Sequence, residues 1–314
     1  MKKTLAHDIL FGTAVADALG VPVEFKEFYE ISVNKVGSNY AEEPKRKEGF
    51  GTWNKPVGTF SDDTSMMLCT AAFLSGDDMD LNHLMDLFVK WLREGYQTAD
   101  GDCFDIGLCT LKALTVYEHT KDWKKAGQHT ERDNGNGSLM RILILLPALY
   151  NATAEERKLF VFNVSSCTHA HAVSCYACLF YIELALLLAQ DIQPLLAFEQ
   201  VKKQLSELPQ DVAAFRNLYS EDFLQTHRLD FNAGGYVVGS LEIAVHTLVR
   251  TNCYKDAVLE AIALGGDTDT NAAITGGLAA ITYGYQQIPE VWIQPLKRFA
   301  DIENLAAQLE KKYL

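Results

Sequence analysis

The chain has 314 residues, of which 48% are hydrophobic and 22% charged, and its formal net charge is −13 at pH 7. This length suits one large domain or two small ones, and the composition is that of a globular protein. The acidic balance excludes a nonspecific nucleic-acid surface, which needs clustered Lys and Arg. A small anion can still bind through backbone N–H groups.

The apolar runs and the cysteines of the chain indicate the cellular compartment in which the protein is expected. The sequence has no uncharged apolar run of 18 residues, and Asp8 interrupts the first apolar segment where a signal peptide would stay apolar. The seven cysteines are an odd number scattered through apolar sequence. That pattern is typical of reduced core thiols rather than of a disulfide framework. We therefore expect a cytoplasmic protein.

Helical periodicity runs through nearly the whole chain, and strand-like alternation is hard to find. The first predicted helix covers about residues 4–20 and places several small residues on one side, so another helix can approach closely. This side carries Leu5, Ile9, Gly12, Ala16 and Gly20. Further buried helices are predicted for the segments 66–74, 139–150, 171–189, 236–249 and 271–285.

Two regions interrupt the helical pattern. Residues 26–58 are charged and glycine-containing, which predicts a long surface loop of the kind that flanks binding sites. Residues 191–234 are polar, with one predicted helix near 195–208. Because no repeat or linker divides the chain, we predict one compact all-α domain over residues 1–314.

Two acidic clusters lie about two hundred residues apart, SDDT at 61–64 and DTDT at 267–270. Hard divalent cations prefer such an all-oxygen ligand set. Four carboxylates brought together without a cation would repel one another and raise their pKa values. The clusters therefore predict a metal site with room for two ions. The alternative is that they are only helix caps.

The second cluster has a geometric requirement. Asp267 and Asp269 would point about 200° apart if both lay inside a helix. Gly265 and Gly266, just before them, favour a loop that turns into a helix at about Thr270. In the first cluster, the two carboxylates are expected in a first helical turn, where the helix favours their ionised form.

A glycine-rich segment, DNGNGS at 133–138, leads directly into the apolar segment at 139–150. Glycines before a helix let backbone N–H groups converge on an anion, so a diphosphate is a plausible ligand. A simple Asn-Gly turn is the alternative.

A second metal hypothesis concerns Cys175 and Cys178, which follow His169 and His171. Structural zinc sites usually need a second ligand pair at comparable spacing. Because the two cysteines lie in a strongly apolar helical run, buried thiols are the favoured interpretation.

Seven segments occur in a characteristic order, and together they extend over most of the chain. They are GTAVADALGVPVEF (12–25), GTFSDDTSM (58–66), CFDIGLCT (103–110), NGNGSLMR (134–141), THAHA (168–172), GGYVVGSLEIAVHTL (234–248) and GGDTDTNAAITGGLAAITYG (265–284). In this order and spacing they resemble the ADP-ribosylglycohydrolase family, which includes dinitrogenase reductase-activating glycohydrolase. The chain departs from the family at Ala16, which is more often Gly, and at Ser61, which is often Thr.

The resemblance implies an all-helical fold with two divalent cations, Mg²⁺ or Mn²⁺, in a central cleft. The metal ligands it implies are Ser61, Asp62, Asp63, Asp267, Asp269 and Thr270. The residues it places at the substrate are Asp105, Gly107, Gly135, Asn136, Gly137, Ser138 and His169. The residues expected to take part in catalysis are Glu24, Asp63 and Asp269.

Several of these residues also have ordinary structural explanations. Glu24 is also compatible with a surface position at the start of a loop, and Asp105 with the cap of a following helix. His169 is equally compatible with a core position. Trp53 and Phe60 are aromatic residues in or near a loop, where packing is the commoner role, so we leave them out of the predicted site.

The implied activity is hydrolysis of the N- or O-glycosidic bond between ADP-ribose and a modified side chain. ADP-ribosyl-arginine is the first choice, because the FDIG segment is associated with arginine-directed relatives. The cations would orient a water molecule, and Asp63 or Glu24 would take its proton, or Glu24 would gate the cleft. The expected partner is an ADP-ribosylated protein or a small ADP-ribose derivative, with no nucleic acid and no membrane. The alternatives are a hydrolase of serine-linked or O-acetyl-ADP-ribose and a non-catalytic ADP-ribose-binding protein.

Overall fold

The computed structural model describes residues 4–39, 51–206 and 212–314 of the chain. No strand occurs in those ranges, where the only sheet-like contacts are isolated bridges, including one between Gly135 and Tyr236. The prediction of an all-α fold is confirmed. The helices are α1 (Leu5–Gly20), α2 (Val33–Gly37), α3 (Asp62–Ser75), α4 (Leu81–Glu94), α5 (Leu108–Thr120), α6 (Leu139–Ile142), α7 (Leu146–Leu149), α8 (Ala154–Ser166), α9 (Ala172–Ala189), α10 (Pro194–Gln204), α11 (Val237–Arg250), α12 (Tyr254–Ile262), α13 (Thr268–Tyr283), α14 (Glu290–Ile293) and α15 (Phe299–Tyr313).

Helices α1 and α13 form the central pair, and glycines let their backbones approach closely. A methyl group added at Gly276 would lie 2.5 Å from both the Cβ of Ala16 and the carbonyl oxygen of Gly12. At the far end of α1, a methyl at Gly20 would lie 2.5 Å from the backbone nitrogen of Asp269. The small residues predicted on one side of α1 therefore form this contact.

Tyrosines from other helices bond to backbone carbonyls of the central pair. The hydroxyl of Tyr181, on α9, donates to the carbonyl of Ile274 at 2.6 Å. The hydroxyl of Tyr254, on α12, donates to the carbonyl of Gly12 at 2.7 Å. Both tyrosines are fully buried, so these bonds satisfy polar groups that burial would otherwise leave costly.

One helix, α9, is long and apolar enough to cross a membrane by length and composition alone. Inside the structure 89% of it is buried, as expected of a core helix in a globular domain. Its single carboxylate, Glu183, accepts two hydrogen bonds from Arg157 of α8, at 2.7 and 2.8 Å.

Three helix predictions differ in detail from the structure. Helix α13 begins at Thr268, two residues earlier than predicted, because Gly265 and Gly266 complete the turn at positive φ before Asp267. The predicted helix 139–150 is divided into α6, a 3₁₀ turn and α7, which carries Pro147 in its first turn. Helix α10 ends at Gln204, before the predicted residue 208.

The two predicted interruptions contain some helix. Within 26–58, α2 forms at 33–37, and residues 51–58 form turns; residues 40–50 lie outside the described ranges. Within 191–234, α10 is followed by short 3₁₀ turns, and residues 207–211 again lie outside the described ranges.

The close contact between α1 and α13 generates a prediction. In the variant Gly276→Ala, the added methyl should push the two backbones apart and lower the free energy of unfolding by about 1–3 kcal/mol, despite the better helix propensity of Ala. The matched control is Gly76→Ala, where the new methyl would make only ordinary contacts of 3.5 Å or more. Urea unfolding of both variants measures the difference, and equal stability would contradict the packing described.

Candidate metal and ligand site

The start of α3 is held by a carboxylate from α1. Asp17 is fully buried and accepts hydrogen bonds from the backbone N–H groups of Ser61 (2.9 Å) and Thr64 (3.0 Å) and from the hydroxyl of Thr64 (2.6 Å). The first N–H groups of a helix have no partner within the helix, so Asp17 supplies one. Burial raises the pKa of Asp17 to about 6, although these hydrogen bonds oppose the shift.

The two acidic clusters meet in the structure. The hydroxyl of Thr270, from the second cluster, donates to Oδ2 of Asp63 in the first cluster at 3.1 Å, across 207 residues of sequence. The same oxygen accepts a bond from the hydroxyl of Ser61, also at 3.1 Å. Helix capping alone gives no reason for the two helix starts to share one carboxylate oxygen.

Several carboxylate oxygens here are arranged as a cation would require. Oδ1 of Asp63 and Oδ2 of Asp269 are buried without a hydrogen-bond partner. Glu24, Asp105 and Asp269 each offer an oxygen within 4.8 Å of the others. Buried charge without a partner is costly, and hard divalent cations bind oxygen donors of this type. The residues present therefore fit a divalent metal site.

Burial and mutual repulsion raise the pKa values of these acids. Burial, with the nearby charges of Asp105 and Asp267, raises the pKa of Glu24 to about 9. Burial and the charge of Asp267 raise the pKa of Asp105 to about 7. Burial first, and neighbouring carboxylates second, raise the pKa well above its usual range for Asp62, Asp63 and Asp269.

A cavity of about 410 Å³ opens beside the acids. Its lining includes most residues of the predicted site, namely Glu24, Asp62, Asp105, Gly107, Gly135, Asn136, Gly137, His169, Asp267 and Thr270. The volume lies within the usual range for small-molecule sites. Four predicted acids and residues 135–137 of the glycine-rich segment thus border one space, whereas Ser61, Asp63 and Asp269 are buried outside its lining.

The glycine-rich segment is tied directly to the second acidic cluster. Nδ2 of Asn136 donates to Oδ2 of Asp267 at 2.8 Å and to the hydroxyl of Ser240 at 3.0 Å. The backbone N–H of Asn136 donates to the carbonyl of Gly235 at 3.0 Å. Asn136 therefore fixes the segment relative to the acids.

Glu24 is a buried residue and not the surface group that the sequence also allowed. Its carboxylate accepts a hydrogen bond from Nε1 of Trp53, and its carbonyl accepts one from the hydroxyl of Thr52 at 2.6 Å. The next residue, Phe25, has a positive φ of 61° and lines the cavity with an exposed ring. The loop at 51–53 thus holds Glu24 at the edge of the cavity.

Asp105 and Ser138 have surroundings that differ from those considered in the sequence analysis. Asp105 does not cap a helix, because α5 begins at Leu108 with Gly107 at its N-cap. The Ser138 side chain is fully buried and bonds to the hydroxyl of Ser165 at 3.0 Å, so it lies behind the cavity wall and not in its lining.

Cys175 and Cys178 are buried thiols. Sγ of Cys175 lies 3.6 Å from the carbonyl oxygen of His169, and Sγ of Cys178 lies 3.4 Å from the Ser138 hydroxyl. Among the described residues, neither thiol belongs to a group of three or more His, Cys, Asp or Glu side chains close enough to share a metal ion. These contacts favour the buried-thiol interpretation over a zinc site.

Sequence reasoning missed three contributors to the site. Asp17 is one of two acids, with Asp8, in an otherwise apolar helix, a pattern that marks a buried carboxylate with a partner. Trp53 was left out because its contact with Glu24 depends on the fold of a loop. Arg132 is an exposed residue that lines the cavity, and nothing in its local sequence distinguishes it.

The raised pKa values predict how cation and pH act on stability. Carboxyl groups ionise near pH 4 in the unfolded chain, whereas Asp17, Asp105 and Glu24 in the folded protein keep their protons up to about 6, 7 and 9. The folded state thus holds more protons, so without cations the free energy of unfolding should fall as pH rises through this window.

Mg²⁺ or Mn²⁺ should weaken the decrease in the free energy of unfolding with rising pH, because a cation favours the ionised carboxylates. Chemical denaturation between about pH 5 and 9, in EDTA and in each cation, measures the effect. Identical pH profiles with and without cation would contradict a metal site at these acids.

Comparison with known proteins identifies the family. The family model described as ADP-ribosylglycohydrolase matches residues 2–314. The chain is 30% identical over 310 residues to ADP-ribosylarginine hydrolase Tri1 of Serratia proteamaculans (strain 568), covering 97% of this chain and 78% of that protein. It is 27% identical over 286 residues to ADP-ribosyl-[dinitrogen reductase] glycohydrolase of Rhodospirillum rubrum, covering 91% and 87%.

A solved structure agrees with these matches. The protein called ADP-ribosylglycohydrolase-related protein complex aligns with a TM-score of 0.80 and 26% sequence identity, covering 99% of both chains. The resemblance recognised in the sequence is confirmed. The chain belongs to the ADP-ribosylglycohydrolase family and is a hydrolase.

Proposed function

We propose that the protein cleaves the glycosidic bond between ADP-ribose and an arginine side chain with the aid of two divalent cations, Mg²⁺ or Mn²⁺. The main support is the meeting of the two acidic clusters at Oδ2 of Asp63, beside two buried oxygens that lack partners. Asp62, Asp267 and Thr270 of the same two clusters line the cavity of about 410 Å³, together with residues 135–137 of the glycine-rich segment.

The residues that would hold the cations come from both clusters and from the segments around them. They are Ser61, Asp62, Asp63, Asp267, Asp269 and Thr270, with Glu24 and Asp105 close by. When bound, such cations lower the pKa of water and stabilise negative charge on nearby oxygens.

The chain's own residues would position the ADP-ribose and move a proton. Gly135 and Gly137 leave space for the ligand against the glycine-rich segment, and Asn136 holds that segment beside Asp267. Water adds its hydroxyl group to the anomeric carbon, and its proton passes to Glu24 or Asp63 as the bond to the arginine breaks. Trp53 orients the Glu24 carboxylate for this role.

The charge of the site supports an arginine-linked substrate. Six carboxylates, when ionised, carry more negative charge than two divalent cations and the nearby Arg132 neutralise; they are Glu24, Asp62, Asp63, Asp105, Asp267 and Asp269. The remaining negative charge favours a cationic guanidinium over a neutral serine or acetyl group. A relative at 30% identity is named as an ADP-ribosylarginine hydrolase, which agrees with this choice.

The variant Asp269→Asn tests the metal cluster. It removes one negative charge at a buried oxygen without a partner, so hydrolysis of ADP-ribosyl-arginine should fall by about 100-fold or more. The variant's thermal stability in EDTA should not fall, because Asn is close in shape to the neutral acid that the raised pKa of Asp269 favours without cations. The control is Asp77→Asn, an exposed acid outside the cavity lining. Full activity of Asp269→Asn would exclude this carboxylate from the reaction.

A panel of defined substrates tests the linkage. We expect turnover of arginine-linked ADP-ribose in Mg²⁺ or Mn²⁺, loss of turnover in EDTA, and slower turnover of serine-linked and O-acetyl-ADP-ribose. Faster cleavage of either oxygen-linked substrate would assign the enzyme to that linkage. Binding of ADP-ribose by calorimetry with no turnover of any substrate would identify a non-catalytic binding protein.

A further inference from the structure

A buried arginine lies behind the cavity wall. Arg141 is fully buried, and its Nη2 donates to the hydroxyl of Thr168 at 2.9 Å and to the carbonyl of Val164 at 3.3 Å. Its guanidinium lies over the ring of Phe88, 4.6 Å from the centroid. No carboxylate pairs with Arg141 in the described part of the chain, so burying its charge is costly. Its few polar contacts must therefore stabilise the guanidinium.

The arginine determines the direction of the next hydrogen bond. The Thr168 hydroxyl also lies 2.8 Å from Nδ1 of His169. Arginine can only donate hydrogen bonds, so the threonine oxygen accepts from Arg141. The hydrogen of the Thr168 hydroxyl then points to Nδ1 of His169. Among residues 4–39, 51–206 and 212–314, Nδ1 is the other hydrogen-bond partner of this hydroxyl.

The opposite arrangement would leave a buried hydrogen without an acceptor. If Nδ1 of His169 carried the proton, the Thr168 oxygen would face two donors, and its own hydrogen would have no partner. An unsatisfied buried donor costs about 1–3 kcal/mol, which strongly disfavours that arrangement. Nδ1 is therefore an acceptor, and the neutral ring carries its proton on Nε2.

The proton-bearing edge of the ring faces the glycine-rich segment. A methyl group at Gly135 would lie 3.5 Å from Nε2 of His169, and one at Gly137 would lie 3.0 Å from Cε1 and 3.4 Å from Nε2. All three residues line the cavity. Within the described residues, no protein group accepts a hydrogen bond from Nε2. A bound ligand can therefore take that role.

We propose that Arg141 and Thr168 are positioning residues that hold His169 as the neutral Nε2–H tautomer, so that it donates a hydrogen bond to an oxygen of the bound ADP-ribose. The tautomer follows from the hydrogen bonds alone, whereas the identity of the ligand rests on the proposed function. Burial and the charge of Arg141 also lower the pKa of His169 to about 3, so the ring stays neutral at physiological pH.

Nitrogen NMR of the histidine side chains tests the tautomer without any ligand, because a ring nitrogen with a proton and one without resonate far apart. The His169 signal is assigned by its loss in His169→Gln. In the wild type and in Thr168→Ser, which keeps the hydroxyl, we expect the proton on Nε2. In Arg141→Met, where the Thr168 hydroxyl becomes free to accept as well as to donate, we expect a shift toward protonation of Nδ1. In Thr168→Val, where Nδ1 loses its donor, we expect the Nδ1 signal to move toward that of a ring nitrogen without a hydrogen bond.

Calorimetry with free ADP-ribose tests the consequence for binding. Thr168→Val should bind about 10-fold more weakly than the wild type, and Thr168→Ser should restore the affinity, since a supporting hydrogen bond is worth about that much. If Thr168 had only a structural role, Thr168→Val would alter thermal stability without moving the Nδ1 signal or the affinity.

The outcomes separate the two proposals. A proton on Nδ1 in the wild type, or an unchanged Nδ1 signal and affinity in Thr168→Val, would overturn the positioning role. If Thr168→Val does not fold, the wild-type spectrum together with that of Arg141→Met decides the same question. The expected tautomer in a wild type that binds no ADP-ribose would instead contradict the proposed function and leave the positioning of His169 intact.

Discussion

The close contact between α1 and α13 is the constraint on which the site depends. Ordinary helix pairs lie about 8–10 Å apart, and the glycines at 12 and 276 allow these backbones to approach without intervening side chains. At the end of α1, Gly20 lies against the backbone of Asp269, and Asp17 holds the first turn of α3. One helix therefore positions both acidic clusters, although two hundred residues separate them in sequence.

This arrangement concentrates like charges in a buried place, which opposes folding unless something neutralises them. The acids respond by holding protons to unusually high pH, as the raised pKa values of Glu24 and Asp105 show. A divalent cation would replace those protons and bind the same oxygens. The repulsion among these carboxylates would thus favour cation binding, and it would couple stability to the proposed function at the same atoms.

The sequence predicted the helices and the two acidic clusters well, since both depend on local pattern. The start of α13 was misplaced by two residues, because two glycines at positive φ complete a turn faster than residue type alone indicates. The roles of Asp17 and Trp53 were missed, because each acts through a residue distant in sequence. The burial of Ser138 behind the cavity was equally hidden, since a motif specifies residues and not the direction of each side chain.

Anomalous X-ray diffraction from crystals grown with Mn²⁺ tests the central claim most directly, because it locates the metal without reference to activity. We expect strong peaks between the segments 61–63 and 267–270, within coordination distance of Asp63 and Asp269. Anomalous peaks only at the protein surface, with these carboxylates bonded to each other through protons, would contradict a metal centre at the joined clusters.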